Sequence, residues 1–305
     1  MQSIRTHASF FLALILIPAL VLGSGACSSD DDDEVSDPGS TPDGDSTGDG
    51  DGAVELVEVA SSQNRWTGVA VSQQGRLFVS FPRWSENVPI SVGEVVGDNR
   101  VVPYPNADMQ TWAPGASPTD LIVSAQSVYV DDEDFLWILD TANVALMGVV
   151  EGGPKLIKVD LGSDEVVDVL PMPAEIAPLD SYLNDVRVDT ARDTAYLTDS
   201  NLGVLVVVDL QDGSARRVLI EHPSTKSEDI DIIIDGEPWM LPGGIVPDVQ
   251  VDGLALDPNG DYLYYQALTG QTLYRIPTEA LRDPQRSEAE LAALVENLGQ
   301  TGPAD

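Results

Sequence analysis

Few of the side chains that ordinarily do chemistry at neutral pH are present in this chain. It has two histidines, His7 and His222, and one cysteine, Cys27. A Ser/His/Asp triad would have to use His222, because His7 lies in an N-terminal segment that reads as removed on export. His222 stands in "EHPS", beside a proline and without a nucleophile-elbow motif, so a loop histidine is the simpler reading. "DDED" at 131–134 offers oxygen ligands, but it lacks the glycine and the distal glutamate of a calcium-binding helix–loop–helix. It sits where a solvated hairpin turn is expected. Five tryptophans could stack on an aromatic amine. Trp137, inside "FLWILD", reads as core, whereas Trp66 and Trp84 flank a strand and a loop and are candidates for a ligand site.

The N-terminus sets the compartment. Arg5 is followed by an uncharged apolar run from Phe10 to Leu22 and then by small residues, the layout of a secretory signal and too short for a membrane span. Cleavage after Ala26 makes residues 1–26 the signal and Cys27 the first mature residue. The placement of Cys27 resembles a bacterial lipobox, although Ser24 stands where such boxes usually have leucine, so the expectation is an acylated Cys27. Ordinary secretion with a free thiol is the alternative. Either way the protein is exported, as an outer-membrane or cell-surface lipoprotein or in secreted form, and touches membrane only through that anchor. Residues 27–52 hold almost nothing that can be buried and read as an acidic disordered tether. Residues 53–305 then carry 41 acidic against 14 basic side chains, about 27 net negative charges. That excludes nucleic acid and anionic membrane surfaces as partners and favours cationic ligands or metal ions.

The elements that must position any site repeat along the chain. "WTGVAVSQQGRLFVSF" (66–81), "AQSVYVDDEDFLWILD" (125–140), "LNDVRVDTARDTAYLTDS" (183–200) and "VDGLALDPNGDYLYYQAL" (251–268) share one pattern. Each is an alternating strand, a short turn and a second strand. Further strands are expected at 155–161, 203–210, 215–220 and 271–276. About four short strands per repeat at a period of roughly 50–60 residues is the signature of a β-propeller blade. The predicted fold is therefore all-β, with residues 53–305 a propeller. In "RSEAELAALVENLGQ", Ser287 and Glu290 form a capping box, and one connector helix is expected to run from there to Gly299. The closing "PAD" reads as the opening of a fifth blade, so the chain is expected to be truncated. A true end, with closure by oligomerisation, is the alternative.

The repeat phrases, together with "PKLIKVDL", "RRVLIEHPS" and "LTGQTLYRIPTEALRD", resemble the major royal jelly protein/Yellow family from about Asn64 onward. That family is similar to six-bladed propellers of the gluconolactonase and regucalcin kind, which implies that about four of six blades are present. In the gluconolactonase-like relatives one Glu, two Asn and one Asp from successive blades hold a divalent metal in the central channel. Carried over, the resemblance places Asn184, Asp252 and Asp305 at ligand positions for calcium or magnesium, with Thr67 where the glutamate would stand. It implies a binding module that captures a small molecule, cationic or aromatic, at the channel mouth near Trp66 and Thr67. The alternative is a metal-dependent lactonase-like hydrolase.

Overall fold

The computed structural model describes residues 57–302, apart from 86, 98 and 242. The signal segment, Cys27, the acidic tether and Asp305 lie outside them. All the sheets below belong to the unit that begins at Ala60.

Four four-stranded antiparallel sheets follow one another along the chain. The first comprises β1 (Gly68–Val71), β2 (Leu77–Ser80), β3 (Val92–Val96) and β4 (Arg100–Pro103). The second comprises β5 (Ala125–Val130), β6 (Phe135–Asp140), β7 (Lys155–Asp160) and β8 (Glu165–Pro171). The third comprises β9 (Leu183–Asp189), β10 (Thr194–Asp199), β11 (Val204–Asp209) and β12 (Ala215–Val218). A small hairpin, β13 (Ile233–Ile234) and β14 (Glu237–Pro238), interrupts the connection to the fourth sheet. That sheet comprises β15 (Val251–Leu256), β16 (Tyr262–Ala267), β17 (Thr272–Pro277) and β18 (Glu296–Gln300).

Each sheet is a simple up-and-down meander, so its strand order is its sequence order. The innermost strands β1, β5, β9 and β15 lie side by side in succession. The result is an all-β, propeller-like arrangement in which each sheet is a blade. The repeat phrases coincide with the first two strands of every blade, and strands such as β6 and β10, covered on both faces by neighbouring blades, are buried at nearly every position.

Three apolar layers bind successive blades. Ala70, Phe78, Val128 and Ile138 join the first to the second. Trp137, Leu139, Val186 and Leu197 join the second to the third. Tyr196, Leu205, Leu254 and Tyr265 join the third to the fourth. Val69, Val128, Val186 and Leu254 occupy equivalent places, and the last three are buried against the preceding blade. Val69 is 57% exposed, since no described residue builds a blade on that side.

The C-terminal region differs from expectation. The capping box forms, with Ser287 Oγ accepting from the Glu290 amide and the Glu290 carboxylate accepting from the Ser287 amide. The helix it starts covers only Glu288–Ala292 (α2) and is preceded by a short helix at Thr278–Arg282 (α1). Residues Glu296–Gln300 are a strand, β18, that pairs with β17. The edge of β17 offers unpaired backbone groups, and satisfying them outweighs continuing a helix toward Gly299, whose φ of +95° ends any regular helix.

Candidate functional site

Three of the four inner strands, β5, β9 and β15, have the same irregularity at their start. Ala125 pairs with Asp140 but Ser127 with Leu139, which leaves Gln126 as an extra residue. Val251 pairs with Ala267 and Gly253 with Gln266, which leaves Asp252. On β9 the step from Leu183 to Val186 likewise spans one residue more than its partner strand, and Asn184 lies within it. Thr67 occupies the matching place ahead of β1, with its amide donating to the Ser80 carbonyl. A bulge of this kind re-aims a side chain away from the sheet face. Thr67, Gln126, Asn184 and Asp252 are therefore four counterparts, one per blade, at the strand-entry end.

These residues are wired together across blades. The Trp84 indole donates to Tyr182 Oη at 2.6 Å. The Tyr182 hydroxyl donates to Gln126 Oε1 at 2.7 Å, and Gln126 Nε2 donates to Asn184 Oδ1 at 2.8 Å. Thr67 Oγ1 donates to the Gln126 carbonyl at 2.6 Å, which Ser80 Oγ also reaches at 2.9 Å. Thr198 Oγ1 repeats the Ser80 device one interface later, donating to the Asp252 carbonyl at 3.0 Å while accepting from the Asp185 amide. Tyr182 is 8% exposed, and burial pushes its phenol well above the ordinary range. The bond from Trp84 opposes that rise, and the nearby Asp252 carboxylate adds to it. Tyr182 is thus a neutral hydroxyl at any physiological pH.

Of the residues expected at the site, Thr67, Asn184 and Asp252 occupy equivalent positions, and Asp305 lies outside the described residues. Trp66 packs against Phe81 at a ring separation of 6.2 Å and takes no part in the relay. Two of the expected oxygen ligands also serve the relay. Thr67 Oγ1 and Asn184 Oδ1, two oxygens a metal would need, are each engaged with Gln126.

The other candidates resolve into local structure. His222 caps a 3-10 turn at Pro223–Thr225, its Nδ1 accepting from the Ser224 amide and facing Ser224 Oγ at 2.7 Å. Ser224 is 1% exposed, and its hydroxyl also meets Tyr265 Oη, so this Ser–His contact is a buried latch without access for a substrate. Burial lowers the His222 pKa, with Glu288 opposing. In "DDED", Asp131 is buried rather than solvated. It accepts from the Glu133 and Phe135 amides and the Trp137 indole, which is hairpin-turn chemistry. A cavity of about 130 Å³ lies toward the opposite end of the blades, between Glu133, Lys158, Asp168 and Asp193. Its charged walls make no contact with the relay.

Gln126 and Tyr182 are the members of the site that sequence reasoning missed, and Trp84, a candidate in the sequence for stacking on a ligand, instead donates its indole N–H to Tyr182. Gln126 had a signal, since "AQSVYV" aligns with "LNDVRV" and "VDGLAL". Tyr182 had none, because nothing in the sequence shows that a loop tyrosine two residues before Asn184 reaches a tryptophan of another blade.

The family profile described as "Major royal jelly protein" matches residues 123–303. Major royal jelly protein 6 of Apis mellifera is 26% identical over 218 residues, covering 67% of this chain and 47% of the relative. Protein yellow of Drosophila yakuba is 25% identical over 247 residues, covering 75% and 44%. The chain thus spans less than half the length of these relatives. Among solved structures, the periplasmic gluconolactonase of Pseudomonas aeruginosa shares 16% identity over 78% of this chain and 57% of its own, with a TM-score of 0.41. Hydrazine synthase of Kuenenia stuttgartiensis shares 13% over 74% and 57%, with a TM-score of 0.43.

Proposed function

The chain belongs to the major royal jelly protein family, and from that premise we propose that it is an exported propeller-like protein that binds a small molecule at its channel mouth. The observation that carries this reading is the relay from Trp84 through Tyr182 and Gln126 to Asn184, which holds polar side chains of three blades in one fixed arrangement. A buried tyrosine and a buried glutamine that together fix the amide of Asn184, itself 8% exposed, are more than blade packing by apolar contacts requires. They are what a preorganised binding site requires. The Asp252 carboxylate in the neighbouring blade favours a ligand with a cationic or hydrogen-bond-donating group. The N-terminal signal layout supports export, and Cys27 supports lipid anchoring. A six-bladed ring, as in the family's propeller relatives, would need two blades beyond the four described.

Thermal melting with millimolar probes, in the presence of chelator, tests the binding reading. Tyramine represents aromatic cations and glucono-1,5-lactone represents neutral lactones. A ligand at about 100 times its Kd stabilises by about 2.7 kcal/mol, which is a shift of several degrees. The expected result is a shift that chelator does not change and that Tyr182→Phe removes. A shift that requires calcium would instead favour the metal-dependent hydrolase.

A further inference from the structure

An indole N–H can only donate a hydrogen bond. At the channel mouth that fact fixes the direction of every bond downstream of Trp84. Tyr182 Oη accepts from the indole at 2.6 Å and has one proton of its own. The described residues offer that proton one acceptor, the Gln126 side chain at 2.7 Å, so Oε1 must be the atom there. The Gln126 Nε2 then faces Asn184 at 2.8 Å, and the Asn184 atom that meets it must be Oδ1. The Asn184 Nδ2 is left over, hydrogen-bonded to none of the described residues. Asn184 is 8% exposed, and we read the accessible edge of its amide as Nδ2, facing the channel.

We propose that Trp84 is a specificity-determining residue: its donor-only indole orders the relay so that Asn184 presents an N–H group, and not its oxygen, to the channel. The site consequently reads an oxygen acceptor on its ligand, such as a carbonyl, ether or hydroxyl oxygen. It is biased against capturing a divalent cation at the position where the family's metal-binding relatives have asparagine. The inference rests on the channel-mouth reading for its consequence, though not for its geometry.

The reversed order shows what maintains the bias. Turning both amides would aim Gln126 Nε2 at Tyr182 Oη, which already accepts from Trp84. The buried Tyr182 proton would then have no acceptor, a penalty that disfavours the reversed order by on the order of tenfold or more. In Trp84→Phe a water can occupy the vacated space and serve as either donor or acceptor, so the two orders become comparable.

Neutron diffraction from crystals exchanged into D2O reads the order directly and needs no ligand. In the wild type, two deuterons are expected on the Asn184 atom facing the channel, with a deuteron of Gln126 directed at Asn184. In Trp84→Phe, both amides are expected in mixed orientation. An oxygen facing the channel in the wild type, or an unchanged single order in Trp84→Phe, would overturn the proposal. Calorimetric titration of the wild type with CaCl2 adds a solution arm. No micromolar site that disappears in Asn184→Ala is expected, and finding one would equally sink the proposal. Failure of the tyramine and lactone probes to bind would leave both readouts intact, so the two readings fail separately.

Discussion

Lys155 Nζ lies 3.0 Å from Asp140 Oδ2, and both side chains are buried, at 3% and 0% exposure. The ammonium is completed by the carbonyls of Pro118 and Gly153, and the carboxylate by the amides of Val123, Ser124 and Ala142. The pair therefore ties the loop before β5 to the start of β7 in the second blade. Lys155→Met leaves an uncompensated buried charge, and a loss of about 3–5 kcal/mol is expected. Urea unfolding of Lys155→Met, Asp140→Asn and the double variant checks this. The double variant should lose markedly less than the sum of the singles.

At Gly68 the first two blades approach each other closely. A Cβ there would stand 2.6 Å from Ser80 Oγ and 2.8 Å from the Val128 amide nitrogen, which belongs to the neighbouring blade. Since backbone cannot rotate aside, Gly68→Ala must push β1 away from β5. A destabilisation of about 1–3 kcal/mol is expected from such overpacking, read as a lower midpoint in chemical unfolding. Gly75→Ala makes a useful contrast, because no atom lies within 4 Å of its Cβ and only its φ of +80° is strained.

Thr198 joins two blades through one hydroxyl. Replacement by valine keeps the shape but removes both the bond to the Asp252 carbonyl and the acceptor for the Asp185 amide. The expected cost is about 1–3 kcal/mol, because a buried amide loses its partner. Faster amide hydrogen exchange at Asp185, with β11 and β12 unchanged, would show that the effect is local.

His222 gives the pH dependence a defined sign. Its folded pKa is lowered below the ordinary value of 6.5, chiefly by burial. The unfolded chain then binds the proton more readily than the folded chain. The stability it contributes is fully present above pH 6.5 and is lost as pH falls through that value toward the lowered one. His222→Asn keeps a capping acceptor for Ser224 but does not titrate. Between pH 7.5 and 5.5 the wild type should lose more stability than His222→Asn, as followed by urea midpoints at each pH. Equal losses would show that the cap is insensitive to protonation.

Much of the architecture was legible because propeller blades repeat, and repetition turns a weak local pattern into a strong one. The first two strands of each blade announced themselves through alternating apolar residues around an Asp- or Gly-rich turn. The outer strands were harder. β8 reads "EVVDVLP" and β18 reads "ENLGQ", and the latter is exposed throughout. Strands at the rim need only pair their backbones, so their side chains carry little signal. At the site, Thr67, Asn184 and Asp252 are placed through the family resemblance. The partners that orient them are not, because Trp84 and Tyr182 lie 98 residues apart and meet only once three blades have assembled.

Two second-strand hydroxyls, Ser80 on β2 and Thr198 on β10, reach forward to a backbone carbonyl of the following blade, those of Gln126 and Asp252. During synthesis, the earlier blade therefore emerges with a hydroxyl that water can satisfy while its own ladder closes from contiguous residues. The later blade arrives with the carbonyl. At these two contacts the donor does not wait unpaired for the later blade, which favours maturation blade by blade from the N-terminal end. The Gln126 side chain, by contrast, is satisfied only when Tyr182 and Asn184 of the third blade arrive. A ribosome-stalled series ending after each blade should gain protease resistance in discrete steps of one blade, with each junction acquiring protection only when the following inner strand has left the exit tunnel.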